Sequence, residues 1–382
     1  MRIWIQKKLR TCLLLSLVTL LPGCWGGENA DENILVYRVQ HVVVDPDTAG
    51  TVFVATDGGG IFKSTDGGTT WRAVNAGLID FHVNWLEYDR IQGSRLGGAS
   101  RWIYVGTENN GVYLSTDGGE SWFSINDGLT SSPTINSIVV DPNTCLLAPA
   151  CTDVYAGTVG GGVFISRERG FGTWTSLNTN LVSTDIRTLA MFGGPDVLIP
   201  SLLLAGTENG EMYRIRPTNQ TETTWTALTK PVSTSEEDVY TIAIIFPNIF
   251  YAGVTRNGLW QSTNAGLSWS DITDLLPASA SDVNVGRVIA ANPADPAILY
   301  ANALGVSKNI DGGTVWTVVV DDDTGDGPSS LDIIRIAVDT HVVDPNDSTK
   351  KVLYASTYSG KLFKYSDDGN GIWKWRELSL TP

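Results

Sequence analysis

The chain has 382 residues, with 26 lysines and arginines against 41 acids, a net charge of −15, three histidines and four cysteines. So acidic a body is a poor partner for nucleic acid or an anionic lipid surface. The sequence contains no H-E-x-x-H, G-x-S-x-G or G-x-x-x-x-G-K-[ST] pattern, which leaves ordinary zinc, Ser-triad and phosphate-loop chemistry unsupported.

Residues 1–23 read as a secretory signal. Arg2, Lys7, Lys8 and Arg10 form a basic head, and Leu13 to Leu21 is an apolar run too short to span a bilayer. Leu21-Pro22-Gly23-Cys24 then resembles the lipobox of bacterial lipoproteins, although Pro22 is an unusual neighbour. The resemblance implies that Cys24 is lipidated and becomes the mature N-terminus, that residues 24–36 are a tether, and that the protein sits on the bacterial cell envelope, at its periplasmic or extracellular face. Ordinary signal cleavage nearby is the alternative. Without the four signal cations the remaining body carries about −19.

From residue 37 onward the chain repeats. Unit 1 reads Val39-Gln-His-Val42-Val-Val-Asp45-Pro, Thr51-Val-Phe-Val-Ala-Thr56, Asp57-Gly-Gly-Gly60, Ile61-Phe-Lys-Ser64, a polar box, and Trp71-Arg-Ala-Val-Asn75. Four short runs rich in β-branched and aromatic residues, separated by turn residues, predict strands A to D of one antiparallel sheet. The B and C runs recur as Ile103–Thr107 with Gly111–Ser115, Val154–Thr158 with Gly162–Ser166, and Leu203–Thr207 with Met212–Arg214. Strand A carries an apolar pair three apart in every unit: Val39/Val42, Val83/Leu86, Ile135/Ile138, Ile186/Leu189, Val239/Ile242, Val285/Val288 and Ile333/Ile336.

Box tryptophans mark the period at Trp71, Trp122, Trp174, Trp225, Trp269, Trp316 and Trp373, with spacings of 51, 52, 51, 44, 47 and 57 residues. Such a period predicts an all-β fold, a seven-bladed β-propeller of four-stranded antiparallel blades over residues 37–382, with its core divided among layers between blades. Trp373 to Leu378 supplies a complete last strand, while Asn33-Ile-Leu-Val36 could also add to blade 7. Cys145 and Cys151 fall in a Pro-flanked loop of unit 3; a local disulfide is the default in an exported protein, and two thiols without a nearby histidine make only half a zinc site.

The boxes Ser64-Thr-Asp66-Gly-Gly68-Thr-Thr70-Trp71, Ser115-Thr-Asp117-Gly-Gly119-Glu-Ser121-Trp122 and Ser262-Thr-Asn264-Ala-Gly266-Leu-Ser268-Trp269 resemble the Asp-box, or BNR, repeat. That repeat is shared by sialidases, xyloglucanases, sortilin-type receptors and photosystem II stability/assembly factors, so the resemblance speaks to fold more than to activity. It implies that the box is a turn lock between strands C and D, away from the ligand face, where Asp66 or Asp117 accepts backbone N–H groups of its own turn. Elsewhere the polar residues drift, as in Ser166-Arg-Glu168-Arg-Gly170, while the tryptophans persist.

Propeller convention places strand A around the central channel, where the candidate ligand residues are Gln40, His41, Asn84, Trp85, Asn136, Arg187, Tyr240, Arg287 and Arg335. Solvation of a wet channel is the plain alternative for the same residues. A non-catalytic binding or assembly module for a protein partner or an extended glycan is the reading favoured, with no cofactor. The other is a glycoside hydrolase of sialidase type, in which Arg187, Arg287 and Arg335 would hold a carboxylate beside Tyr240 and Glu236 or Glu237. The sialidase Phe-Arg-Ile-Pro motif would fall at Tyr37-Arg38-Val39-Gln40, which keeps only its arginine. Asp321, Asp323 and Asp326 offer clustered oxygens for calcium without the closing glutamate of an EF-hand, and are otherwise a solvated acidic loop.

If Cys24 carries lipid, metabolic labelling with a clickable palmitate analogue marks the wild-type protein and not Cys24→Ala. Equal labelling of the two excludes the anchor.

Overall fold

A computed structural model describes residues 37–89, 102–129, 134–141, 152–193, 201–217, 223–231, 237–277, 286, 288–292, 295–310, 315–320, 333–343 and 350–380. Residues 1–36, with Cys24, lie outside the described residues, as do Cys145, Cys151, Glu236, Arg287, Asp321, Asp323 and Asp326.

Seven four-stranded antiparallel sheets follow one another along the chain, each hydrogen-bonded in sequence order. Blade 1 is built from Arg38–Val44, Val52–Asp57, Gly60–Ser64 and Arg72–Ala73, which are strands A to D. The A strands of the later blades are Val83–Tyr88, Ile135–Val140, Ile186–Phe192, Val239–Phe246, Ile289–Asn292 and Ile333–Val343. Blade 7 closes on its own fourth strand, Trp373–Leu378. Its Lys364 Nζ (2.8 Å) and Tyr354 hydroxyl (3.2 Å) donate to the Gly67 carbonyl of blade 1. Among the described residues, blade 7 is complete in its own four strands and side chains cross its interface with blade 1; Asn33-Ile-Leu-Val36 lies outside them.

The apolar pair three apart in strand A has a structural cause. In a regular strand, residues i and i+3 face opposite sides. Here the register slips by one between them in blades 1, 2, 3, 4, 5 and 7, so Gln40, Asn84, Asn136, Arg187, Tyr240 and Ile334 are each the extra residue of a β-bulge. The bulge returns both apolar residues to buried positions: Val39, Val83, Leu86, Ile135 and Ile138 are all buried.

The apolar layers lie between blades, and the layer of blades 6, 7 and 1 is continuous. Another combines Phe53, Ile61, Val74 and Leu78 of blade 1 with Val83, Leu86, Ile103 and Trp122 of blade 2; equivalent layers join blades 2 to 3, 3 to 4 and 5 to 6. The box tryptophans cross these layers. Trp122, Trp174 and Trp225 are buried, and their indole N–H groups donate to the Val74, Ile125 and Leu177 carbonyls of the preceding blade at 2.7, 2.6 and 2.6 Å. Their backbone N–H groups do the same to Ala76, Asp127 and Thr179. Trp71 differs by bonding back to Gly68 of its own turn, and in blade 7 it is Trp375, two residues beyond the marked Trp373, that reaches back to Val319.

In blades 1, 2 and 5 the polar box holds the turn in front of the tryptophan. Ser64 Oγ accepts from Gly68 N at 2.8 Å, and Asp66 accepts from Thr70 N (2.9 Å) and Thr70 Oγ1 (2.6 Å). Ser115 and Asp117 repeat the pattern on Gly119 and Ser121. In blade 5 the neutral Asn264 takes the Ser268 amide at 2.9 Å and donates to its hydroxyl, so the lock needs oxygen acceptors and not a charge. Blade 3 has a different turn, in which Ser166 Oγ donates to Gly172 O at 2.5 Å. Its Arg169, at φ 60°, turns inward to form a buried 2.6 Å ion pair with Asp89 of blade 2.

A second lock rigidifies the B–C hairpins. Asn75, just past strand D, accepts from Ile61 N (2.7 Å) and donates to the Gly59 carbonyl (2.9 Å), and Asn126 does likewise with Val112 and Asn110. Gly60 and Gly111 are obligatory beside it: both have positive φ, and a Cβ there would lie 2.4 Å from the asparagine Oδ1.

Burial of an indole contributes on the order of 3 kcal/mol, so Trp122→Ala should destabilise the protein by about 3–5 kcal/mol, read from the denaturant midpoint. Thr70's hydroxyl and amide hold the Asp66 carboxyl at about 2; at Asp117 burial acts upward but is outweighed by Ser121's hydroxyl and amide, again to about 2. A folded-state value below the unfolded ~3.9 means the stability these groups supply is complete above about pH 4 and is lost as pH falls through 2. An Asp66→Asn/Asp117→Asn variant should therefore fold as blade 5 does, with a Tm that falls less than the wild type's between about pH 5 and pH 2.5. Parallel curves would contradict this.

Candidate functional site

Antiparallel order brings the D–A connections and B–C hairpins to one face of the ring, and backbone bonds join them there. Gly60 N donates to Phe81 O (2.9 Å), Glu108 N to His82 O (2.9 Å), Gly162 N to Thr184 O (2.9 Å) and Thr255 N to Asp238 O (3.0 Å). The bulged A strands lie below this preorganised rim.

The polar residues of strand A divide into two groups. One group ties blades together. Asn84 Nδ2 donates to Ile135 O (3.2 Å) of the next blade and Asn136 Nδ2 to Ile186 O (2.9 Å). Ser137 Oγ accepts from Leu189 N and Thr241 Oγ1 from Ile289 N. Arg187 does the same by charge. Its Nη2 lies 3.1 Å from Glu208, and its Nε is 3.2 Å from Asp238 of blade 5, an ion pair without hydrogen-bond alignment. Burial raises the Asp238 carboxyl, partly opposed by Arg187.

The second group is a cluster. His41 of blade 1 and Trp85 of blade 2 have ring centroids 4.3 Å apart. The Arg335 guanidinium of blade 7 lies 5.2 Å from the Trp85 centroid and 5.1 Å from that of Tyr240, which comes from blade 5. Residues from four blades thus form an aromatic and cationic floor. His41 is buried, and burial first, the Arg335 charge second, hold its imidazole well below the usual histidine range. It is a neutral ring at physiological pH. Three buried nitrogens here, His41 Nδ1, Trp85 Nε1 and Arg335 Nε, have no hydrogen-bond partner in the protein. Gln40 is half-buried.

The chemistry of the floor follows: stacking faces, a fixed positive charge, and N–H donors that suit carbonyl or carboxylate oxygens. Around it the loops expose apolar side chains, among them Ile79 (77%), Phe81, Val159, Val182 (83%), Leu304 and Tyr358. Two other clefts, of about 160 and 210 Å³, lie between outer strands of blades 6 and 7 and of blades 3 and 4. Both are smaller than an ordinary small-molecule site of roughly 300–1,000 Å³.

The sequence placed Gln40, His41, Asn84, Trp85, Asn136, Arg187, Tyr240 and Arg335 on one strand, but not which would join the cluster and which would be tied to a neighbouring blade. It also missed the group Asp57, His82 and Glu108, whose ligand-type atoms lie within 4.8 Å of one another on the same face. A signal was present in the repeat itself: Thr56-Asp57 and Thr107-Glu108 are equivalent ends of strand B, and His82 directly precedes strand A.

No protein-family model and no curated protein matches the sequence. Solved structures match its fold. The GH74 xyloglucanase from Xanthomonas campestris gives a TM-score of 0.60 at 15% identity, covering 89% of this chain and 54% of its own. YCF48 from Cyanidioschyzon merolae gives 0.52 at 15%, covering 86% and 95%. The computationally designed Ika8 protein gives 0.50 at 11%, covering 89% and 96%. The chain spans about half the length of the xyloglucanase. At such identities the likeness is one of fold: this is a seven-bladed propeller structurally resembling those of the GH74 and YCF48 proteins.

Proposed function

We propose that the chain is an exported, lipid-anchored binding module of the bacterial cell envelope that holds a segment of a protein partner over its channel face. The observation that carries this reading is the floor itself, where three unpartnered buried nitrogens gather around a guanidinium lying over two aromatic rings. Trp85 Nε1–H and Arg335 Nε–H are donors that the protein leaves unpaired at about 1–3 kcal/mol each, so an oxygen-bearing ligand that reaches them on a small shift of the floor gains what the protein alone forgoes. The exposed apolar rim favours a polypeptide; an extended glycan stacked on Trp85 is the other class such a floor would take. Within this reading Gln40, Asn84, Asn136, Arg187 and Arg287 also belong to the ligand-binding set.

A sialidase-type centre requires three arginines directed at one carboxylate. Of Arg187, Arg287 and Arg335, which that reading needs, Arg287 lies outside the described residues, while Arg187 is engaged by Glu208 and Asp238 and Arg335 packs on Trp85 and Tyr240. The two described arginines face different partners, which supports binding over hydrolysis.

Once a partner is captured from native membranes, its Kd should rise about tenfold or more in Arg335→Ala and Trp85→Ala, as for loss of a charge-assisted contact of about 1.5–3 kcal/mol. It should stay unchanged in Asp66→Asn. Normal binding by the first two variants, with loss on substitution of outer blade edges, would show that the propeller works by its rim. Hydrolysis of a fluorogenic sialoside that disappears in Tyr240→Phe would establish the glycosidase reading instead.

A further inference from the structure

We infer that Asp57, His82 and Glu108 form a binding site for a divalent transition-metal cation on the channel face, at the junction of blades 1 and 2. The three side chains come from separate segments held together by backbone: residues 57 and 82 form a β-bridge, and Glu108 N donates to His82 O at 2.9 Å. His82 Nε2 is 3.7 Å from Asp57 Oδ1, and all three ligand atoms fall within 4.8 Å of one another. Ligands at about 2.1 Å from one ion stand roughly 3–4 Å apart, so small side-chain rotations complete the set.

The imidazole is oriented as a metal ligand is. Its Nδ1 faces Asp80 Oδ1 at 3.1 Å, and the buried Asp80 is itself fixed by the amides of His82 (3.0 Å) and Asn109 (2.7 Å). A carboxylate on Nδ1 fixes the proton there and turns the Nε2 lone pair toward Asp57 and Glu108.

A second observation comes from the repeat. At the junction of blades 4 and 5 the positions matching Asp57 and His82 are Glu208 and Asp238, and the bulge residue Arg187 places its cation between them. The matching bulge residue at blades 1 and 2 is Gln40, which is neutral. Arg38 opposes Asp57 in the strand register, but its guanidinium is over Tyr358. Among the described residues neither Asp57 nor Glu108 is in ion-pair contact with a lysine or arginine, so a dissolved cation takes the place that Arg187 fills elsewhere. One imidazole with two carboxylates selects cobalt, zinc, nickel or manganese over calcium or magnesium. Three exposed protein ligands leave coordination positions open, beside Ile79 and Phe81, for a carboxylate or imidazole of whatever docks on this face. The inference is independent of what occupies the aromatic floor.

The test is titration of the metal-free mature protein with Co²⁺, followed by its visible d–d absorption and by calorimetry. One ion per chain is expected. Binding should be abolished in His82→Ala and weakened about 10–100-fold in Asp80→Asn, with metal-free melting temperatures compared to confirm folding. An Asp321→Asn/Asp323→Asn/Asp326→Asn variant should bind as the wild type does. Absence of a saturable site at millimolar Co²⁺, binding that survives His82→Ala, or equal competition by Ca²⁺ would each overturn the assignment.

Discussion

A four-stranded blade of this chain has two apolar faces and can bury them only against neighbouring blades. In blades 2, 3 and 4 the tryptophan of the repeat supplies much of that contact, filling the layer with its ring and spending its indole N–H on a carbonyl of the preceding blade. Everything else follows from keeping this indole in place. The box fixes the turn before it, and Asn264 shows that the turn tolerates loss of charge as long as the acceptors remain. Where the box has drifted, in blade 3, Trp174 keeps its bonds to blade 2 and an interblade ion pair between Arg169 and Asp89 is added to them. The polar residues drift because several chemistries can close the same turn, whereas the buried indole has no substitute of equal area.

The same interfaces shape the functional face. A bulge in strand A allows two apolar residues three apart to be buried together, and the extra residue it creates is where the polar identity of each blade is set. Asparagine there ties the blade to the next one, arginine bridges two carboxylates, and tyrosine reaches the floor. Around the floor, the Asn75 and Asn126 locks hold the hairpins against the ring. For the binding role proposed above, a surface already ordered lowers the conformational entropy lost on binding.

Strand order, blade number and the inward pair were legible because they repeat, and a repeat exposes its own grammar: Val39/Val42 is understood by seeing Val83/Leu86 and Ile135/Ile138. The box could be read as a turn lock for the same reason, although the destination of its tryptophan, the previous blade's carbonyl, could not, since nothing in Trp122 itself names Val74. Sites made of single, non-repeated residues were the hardest to read. His41, Trp85, Tyr240 and Arg335 come from four blades and meet only because the ring is closed. Asp57, His82 and Glu108 are 25 and 26 residues apart and become neighbours through pairing between blades.

If the boxes and indoles build the ring while the channel face binds, hydrogen exchange of the protein with and without its captured partner, resolved by peptide, separates the two roles most directly. The expected result is new protection in the A strands, D–A connections and B–C hairpins of blades 1, 2, 5 and 7, with the box turns at residues 64–71 and 115–122 unchanged. Protection centred on those turns, with the channel-face peptides exchanging as in the free protein, would contradict that division of roles.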